Sequence, residues 1–327
     1  MKNKQLLYSI GAFGGILILI LDGQTAMRGA YSGIDLCLMT VIPSLFPFIT
    51  LSILLTNSLS GLRIPFLRSI GKVCGIPQGA ESVLLSGFLG GYPVGAQCVA
   101  EAYRIRMISK QDAQRMIAFC SNAGPAFLFG MISPMFPHPG YAWALWGIHV
   151  ASALLVGIFF PQKQESPATH APKESISITD AVQRSLRAMA CICGWVVLFR
   201  VVISFLFRWF LWLLPIELQV LIVGILELSN GCVELSGISD LCQRFSICSI
   251  CLSFGGVCVV MQTASVAQGL SIRTYLQGKL VQTLISIFLC GCIFRKLCIV
   301  ILLFPMILLW ILLNRKNSGR IQPVVSV

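Results

Sequence analysis

The chain has 327 residues, 56% of them apolar and only 11% charged, and its mean hydropathy is +0.85. Water-soluble domains carry roughly 25% charged residues, so one water-soluble core is excluded and a polytopic, all-α integral membrane protein is expected. A net charge of +12 would suggest nucleic acid in a soluble protein, but here the basic residues fall between apolar runs, as membrane topology places them, and no nucleic-acid partner is expected.

In chain order, residues 1–21 carry Lys2 and Lys4 ahead of an apolar run from Leu6. This has the outline of a signal peptide, but the small-residue site near Ala26 is poor and more apolar runs follow, so an uncleaved first helix is expected. Further apolar runs cover residues 36–59, 116–135, 141–160, 191–214, 245–267, 280–294 and 297–313. With 6–21 they make about eight crossings, at ~20 residues per span. Pro43 and Pro47 each remove a helix hydrogen bond and predict a kink in the second run.

Basic residues dominate one set of loops: Arg63, Arg68 and Lys72, then Arg104, Arg106, Lys110 and Arg115, and finally Arg315, Lys316 and Arg320. Residues 214–240 hold Glu217, Glu227, Glu234 and Asp240 with no lysine or arginine. The asymmetry predicts a multi-pass protein of the cytoplasmic membrane with both termini in the cytoplasm. The only polar linker, residues 162–179, separates an N-terminal membrane half, 1–161, from a C-terminal half, 180–327, and has the composition of a mobile cytoplasmic tether. Ser177 with Asp180, and Ser109 with Asp112, have capping-box spacing.

Residues 85–99, LSGFLGGYPVGAQCV, are apolar but laced with glycine and proline; the run after the helix at 101–116 breaks at Ser121-Asn-Ala-Gly-Pro125. Backbone groups freed by such breaks cannot go unsatisfied in lipid, so the segments are expected inside the protein, lining a watery cavity. Leu85–Val99 is expected to be a re-entrant hairpin, entering and leaving on the cytoplasmic side. Gly91 and Gly95 also fit the GxxxG packing spacing, but Pro93 disfavours a plain helix seam. In the second half, Leu252-Ser-Phe-Gly-Gly256 resembles Leu85–Gly91, and Ser229-Asn-Gly231 resembles Ser121–Gly124, with the order of the two motifs swapped. Two pseudo-equivalent halves of a repeat-built core are expected.

A midplane site for a small polar solute needs amides and hydroxyls beside helix breaks. The substrate-binding candidates are Gly90, Gly91, Tyr92, Gln97, Ser121, Asn122, Gly124, Glu227, Ser229, Asn230 and Gln262, with Glu81, Thr263 and Ser265 as further polar neighbours. An intramembrane carboxylate such as Glu227 reads as functional by default; its alternative is an ion pair with Arg200 or Arg208. Asn122 could instead bond across to a neighbouring helix. Glu101, Arg104 and Arg106 read as a solvated face.

The fourteen cysteines lie mostly in apolar stretches and read as small reduced hydrophobes. Cys248 and Cys251 form a CxxC with no second pair or nearby histidine to complete a zinc set, so no metal or other cofactor is expected. No phosphate loop, HExxH or GxSxG occurs, and His138, His149 and His170 are scattered; enzymatic activity is not expected.

Residues 86–130, SGFLGGYPVGAQCVAEAYRIRMISKQDAQRMIAFCSNAGPAFLFG, closely resemble the sporulation integral membrane proteins of the YlbJ type. ELSNGC at 227–232 and LSFGGVCVVMQ at 252–262 look like the second-half motifs of the same family, and the likeness runs over roughly residues 42–286. The resemblance implies the nucleoside-recognition "Gate" domain shared with concentrative nucleoside transporters, spore maturation proteins and ferrous iron transporter B. It also implies a role in endospore formation at the cortex stage, with the lipid bilayer as partner and a nucleoside-like compound as one solute class; a homo-oligomer or sporulation membrane partners stay open. The expected activity is a carrier or gated pore for a small polar solute. Two alternatives stand beside it, a non-transporting assembly protein of the spore envelope and an ion or metal permease subunit.

Overall fold

The computed structural model describes residues 2–59, 65–160, 176–294 and Leu303, and the regular structure of the described residues is helical throughout. The expected run at 297–313 therefore lies outside the described residues apart from Leu303, as do most of the 162–179 linker and the basic C-terminal residues. Among the described residues, five helical stretches are long and apolar enough to cross a membrane: Gly23–Leu55, Gly140–Phe159, Ile178–Trp209, Leu241–Val266 and Ile272–Ile293.

In the first half, α1 (Lys2–Leu21) leads into α2 (Gly23–Leu36), whose N-terminus is capped by Asp22 accepting from the Thr25 amide at 3.1 Å. A π-helical turn, Cys37–Val41, joins α2 to α3 (Ile42–Leu59). Where the prolines predict a kink, the chain widens instead: the Ile42 amide reaches the Cys37 carbonyl just ahead of Pro43, which has no amide to give. After α4 (Pro65–Val73), α5 (Glu81–Leu89) and α6 (Val94–Arg104) fold back on each other as a hairpin. Next, α7 (Lys110–Met116), capped by Ser109, stops short; the chain unwinds and resumes as a π-helix, Ala126–Ile132, and a 3-10 turn, Ser133–Met135. The half closes with α8 (Gly140–Phe159).

The second half repeats the plan. A through-helix, α9 (Ile178–Trp209), starts at the expected reciprocal Ser177–Asp180 capping box. A hairpin follows, formed by α10 (Ile216–Leu226) and α11 (Leu228–Glu234). An interrupted span comes next, α12 (Leu241–Phe254) and α13 (Gly256–Val266), and then α14 (Ile272–Ile293). Hairpin precedes interrupted span in both halves, so the swapped order read from the motifs is corrected. Gly90–Pro93 corresponds to the Glu227 turn, and Ser121–Gly124 to Gly255–Gly256. Matching glycine pairs to glycine pairs misled because each kind of break can be made with glycine or with polar residues.

The hairpins open toward opposite faces. At one face the base of hairpin α5–α6 meets the start of α14, with Tyr103 beside Gly269 and Thr274 bonded to Gln114 at 3.2 Å. At the other, Arg244 at the start of α12 donates to the Met135 carbonyl at 2.8 Å, and Gly237 at the base of hairpin α10–α11 packs on Ile216. The interrupted span 110–135, α8 and α9 cross between them, an odd number of passages, which gives an inverted repeat.

Close packing depends on small residues. The α-carbons of Gly29 and Gly33 let α2 lie directly on Val201 and Val197 of α9, where an added Cβ would come within 2.9 Å of backbone. On the first face, buried Arg115 of α7 donates to the carbonyls of Cys74 and Gly75, tying the loop after α4 to α7. Arg115→Met should strand both acceptors and cost about 2–4 kcal/mol, read as a lower melting temperature of the detergent-solubilised protein; an unchanged melting temperature would show that water replaces the guanidinium.

Candidate functional site

The chain interruptions converge. At the tip of hairpin α5–α6, Gly91 has φ +75°, and a Cβ there would lie 3.1 Å from the Gly124 amide; a Cβ on Gly124 would lie 3.0 Å from the Gly91 amide and the Leu89 carbonyl. Hairpin tip and unwound strand thus meet backbone to backbone, an approach that glycine permits. In the second half, Gly255 and Gly256 both have positive φ, 83° and 87°, and Gly256 sits against the Gly224 carbonyl and the Leu228 amide of hairpin α10–α11. Tyr92 links the halves: its ring covers Gly255, and its hydroxyl donates to the Leu252 carbonyl at 3.2 Å.

A cavity of about 50 Å³ lies where these elements meet, walled by apolar side chains of α3 and α9 and by polar groups of both hairpins. Gly90, Gly91, Tyr92, Gly124, Glu227, Ser229 and Gln262, read from the sequence as one site, all line it. Glu227 is 3% exposed and caps α11, accepting from the Asn230 backbone amide at 2.6 Å and from Asn230 Nδ2 at 2.9 Å. Neither arginine expected as its partner reaches it: Arg200 pairs with Glu234 at 3.3 Å and Arg208 with Asp22 at 3.7 Å. Gln262 is buried and donates to Cys258 Sγ at 3.2 Å.

The other expected residues stand apart from the cavity wall. Gln97 is on the exposed side of α6, because the helix after Pro93 turns that position outward. Asn230 is fully buried behind Glu227 and supports it. Ser121 is fully buried, and its hydroxyl has no partner. Asn122 turns away from the cavity toward α14: its Oδ1 accepts from Gln282 Nε2 at 3.1 Å and Lys279 Nζ at 3.3 Å, and its Nδ2 donates to the Phe119 carbonyl at 2.7 Å. The cross-helix alternative for Asn122 is therefore the observed one. Glu81 is at the open end of its hairpin, paired with Arg68 at 3.1 Å, and Ser265 is exposed and bonded to Met261. Thr263 is fully buried, with its hydroxyl beside that of Tyr275. Cys248 and Cys251 pack into the apolar core against Phe245 and Leu252.

Sequence reading missed three groups. Lys279 and Gln282 of α14 are 0% exposed, and His149 of α8 is 1% exposed. His149 Nε2 accepts from the Ala123 amide at 3.0 Å, satisfying a backbone group freed by the break at 121–124. The signal for α14 was present: Tyr275, Lys279, Gln282 and Ser286 recur at helical spacing and form one polar stripe along the buried face of the helix. Starting the span at Leu280 placed Lys279 in a loop and hid it.

The architecture defines a class: a polytopic, all-helical integral membrane protein with two oppositely opening helical hairpins around a small cavity of mixed apolar and polar lining. The chain is similar to the sporulation integral membrane protein YlbJ of Bacillus subtilis (strain 168), 26% identical over 298 residues, with 76% of this chain and 72% of that protein covered. The comparison bears out the resemblance to the YlbJ type. No family model matches the chain, and no solved structure matches it.

Proposed function

We propose that the chain is a carrier for a small polar solute, working in the cytoplasmic membrane during endospore formation, at the cortex stage. The observation behind this reading is the convergence of two hairpin tips and two interrupted spans on one cavity that holds a buried carboxylate, Glu227, with no cationic partner among the described residues. Broken elements at membrane depth are the arrangement in which backbone and amide groups meet a solute, and an ionisable group there marks a pathway. The basic residues of 68–115 gather on the face where hairpin α5–α6 opens, and Glu217 and Asp240 on the opposite one, which supports a cytoplasmic placement of the first hairpin's base and of both termini.

In the arrangement shown the cavity is small. Its ~50 Å³ is well below the roughly 150 Å³ of a buried cavity that admits benzene. It suits a few waters, and a nucleoside-sized solute needs the hairpins to part. The same small volume is compatible with a nucleoside carrier of the Gate type in a contracted state. No step of this cycle calls for a catalytic group, a cofactor or nucleic acid.

Proteoliposomes of the full-length protein should take up radiolabelled uridine faster than empty vesicles, and Glu227→Gln should reduce that uptake at least about tenfold, the loss expected when a charge-assisted contact is removed. Uptake equal to empty vesicles for uridine, and likewise for other nucleosides and monovalent cations, would remove the carrier reading. An assembly role would then be favoured, with charge reversal along residues 101–115 as the sensitive change.

A further inference from the structure

Lys279 is the most deeply buried charge-bearing group that the cavity lining does not include. It is 0% exposed in α14, and no ion pair among the described residues involves it. Its Nζ instead meets three oxygens on three elements: Gln282 Oε1 at 2.7 Å, Tyr92 Oη at 3.1 Å and Asn122 Oδ1 at 3.3 Å. The groups facing it are Tyr92 from the hairpin tip, Cys120 and Asn122 from the unwound strand, His149 from α8, and Tyr275 and Gln282 from its own helix; buried Thr263 of α13 is uncharged. Glu227 lies on the cavity with Tyr92, but its bonds go to Asn230.

We propose that Lys279 is a proton-binding site, and that loss of its proton unlatches the tip of hairpin α5–α6 from the second half, making the carrier proton-coupled. The argument is a count of hydrogens. An ammonium has three N–H groups and donates to all three oxygens; Tyr92, accepting one of them, keeps its own proton for the Leu252 carbonyl at 3.2 Å. A neutral amine has two N–H groups and a lone pair. The two go to the amide oxygens of Gln282 and Asn122, which cannot donate from oxygen, and the lone pair faces the tyrosine hydroxyl. The Tyr92 O–H then rotates to donate to Nζ, and its bond to Leu252 is lost. One proton leaves Nζ for the aqueous side and no other covalent bond changes. Both states satisfy the lysine, which is how an amine can stay buried without a carboxylate. What differs is the Tyr92–Leu252 bond, the hydroxyl link from the first hairpin's tip to the end of α12 beside Gly255. Coupling to protons extends the carrier reading, whereas the latch itself is independent of any solute.

The test is hydrogen exchange of the tip peptide, residues 85–99, in full-length protein in nanodiscs, read from mildly acidic to alkaline pH and corrected for intrinsic exchange. In the parent protein, protection should fall about tenfold as pH rises, the change expected for loss of one hydrogen bond. Tyr92→Phe should show the lower, alkaline level of protection at every pH. Lys279→Met, which keeps the stem volume but cannot titrate, and Lys279→Arg, which stays charged, should both lose the pH dependence. Flat protection in the parent protein, or an undiminished pH dependence in both Lys279 variants, overturns the proposal. A parallel measurement in proteoliposomes with an entrapped pH dye and uridine as the probe separates the two readings. Uridine uptake that moves no protons, with flat exchange, sinks the proton site and leaves the carrier. A pH-responsive tip in vesicles that pass no solute sinks the carrier and leaves the latch.

Discussion

Gly87→Ala and Gly95→Ala should each leave little folded protein in the membrane. Both glycines face the first interrupted span, and an added Cβ on either would overlap the carbonyl oxygen of Cys120; on Gly95 it would also come within 2.9 Å of the Gly87 α-carbon. These obstacles are backbone, which cannot swing aside as a side-chain end can. Hairpin α5–α6 would have to move off the span it rests on, opening a gap in a core that includes Ala96, Val99, Met116 and Phe119. Overpacking typically costs 1–3 kcal/mol where a core can adjust, and rigid backbone on both sides puts these changes at or beyond about 4 kcal/mol, the upper tail for single substitutions. The control is Gly147→Ala in α8, where a Cβ meets nothing within 4 Å; it should be neutral or slightly stabilising, since alanine is the better helix former. Fluorescence-detected size exclusion of the three variants reads the difference directly. Normal, monodisperse yields of Gly87→Ala and Gly95→Ala would mean that the hairpin does not pack as described.

Glu227→Ala should lower both stability and uptake, whereas Glu227→Gln should lower uptake with little loss of stability. The carboxylate caps α11 and holds Asn230 at two points. Removing an N-cap costs about 1 kcal/mol, and losing a hydrogen bond to a charged group about 1.5–3 kcal/mol. Glutamine keeps an oxygen for the Asn230 backbone amide. Both Asn230 donors end on the same carboxylate oxygen, Oε2, so the single carboxamide oxygen of glutamine can serve the two of them, with the new NH2 in the place of Oε1. The pair thus separates capping from charge. Melting curves together with uridine uptake decide between them: full uptake by Glu227→Gln would relieve the carboxylate of any role beyond holding the turn.

Much of the frame could be read from residue patterns, because hydropathy and helix breakers act locally. The re-entrant hairpin at 85–99 followed from glycine and proline in an apolar run, and the break at 121–125 from serine, asparagine and proline together. Depth was harder to read. Asn122 and Gly124 are two residues apart, yet one faces α14 and the other the cavity, because an unwound strand does not keep helical periodicity. The pairing of halves was misread for a related reason: Gly255–Gly256 ends one helix and starts the next with left-handed residues, whereas Gly90–Gly91 turns a hairpin. Lys279 was missed because a basic residue at the margin of an apolar run was counted as loop. Only the packing of α14 between the first span and α8 shows that Tyr275, Gly278 and Lys279, ahead of Leu280, are interior.

The seam between Gly91 and Gly124 has a thermodynamic consequence. Where two elements separate at such a seam, they uncover peptide groups and almost no hydrocarbon. Apolar exposure raises the heat capacity and polar exposure lowers it. Parting at this point therefore has a small or negative heat-capacity change, unlike the sliding of leucine-studded helices past each other, which exposes hydrocarbon.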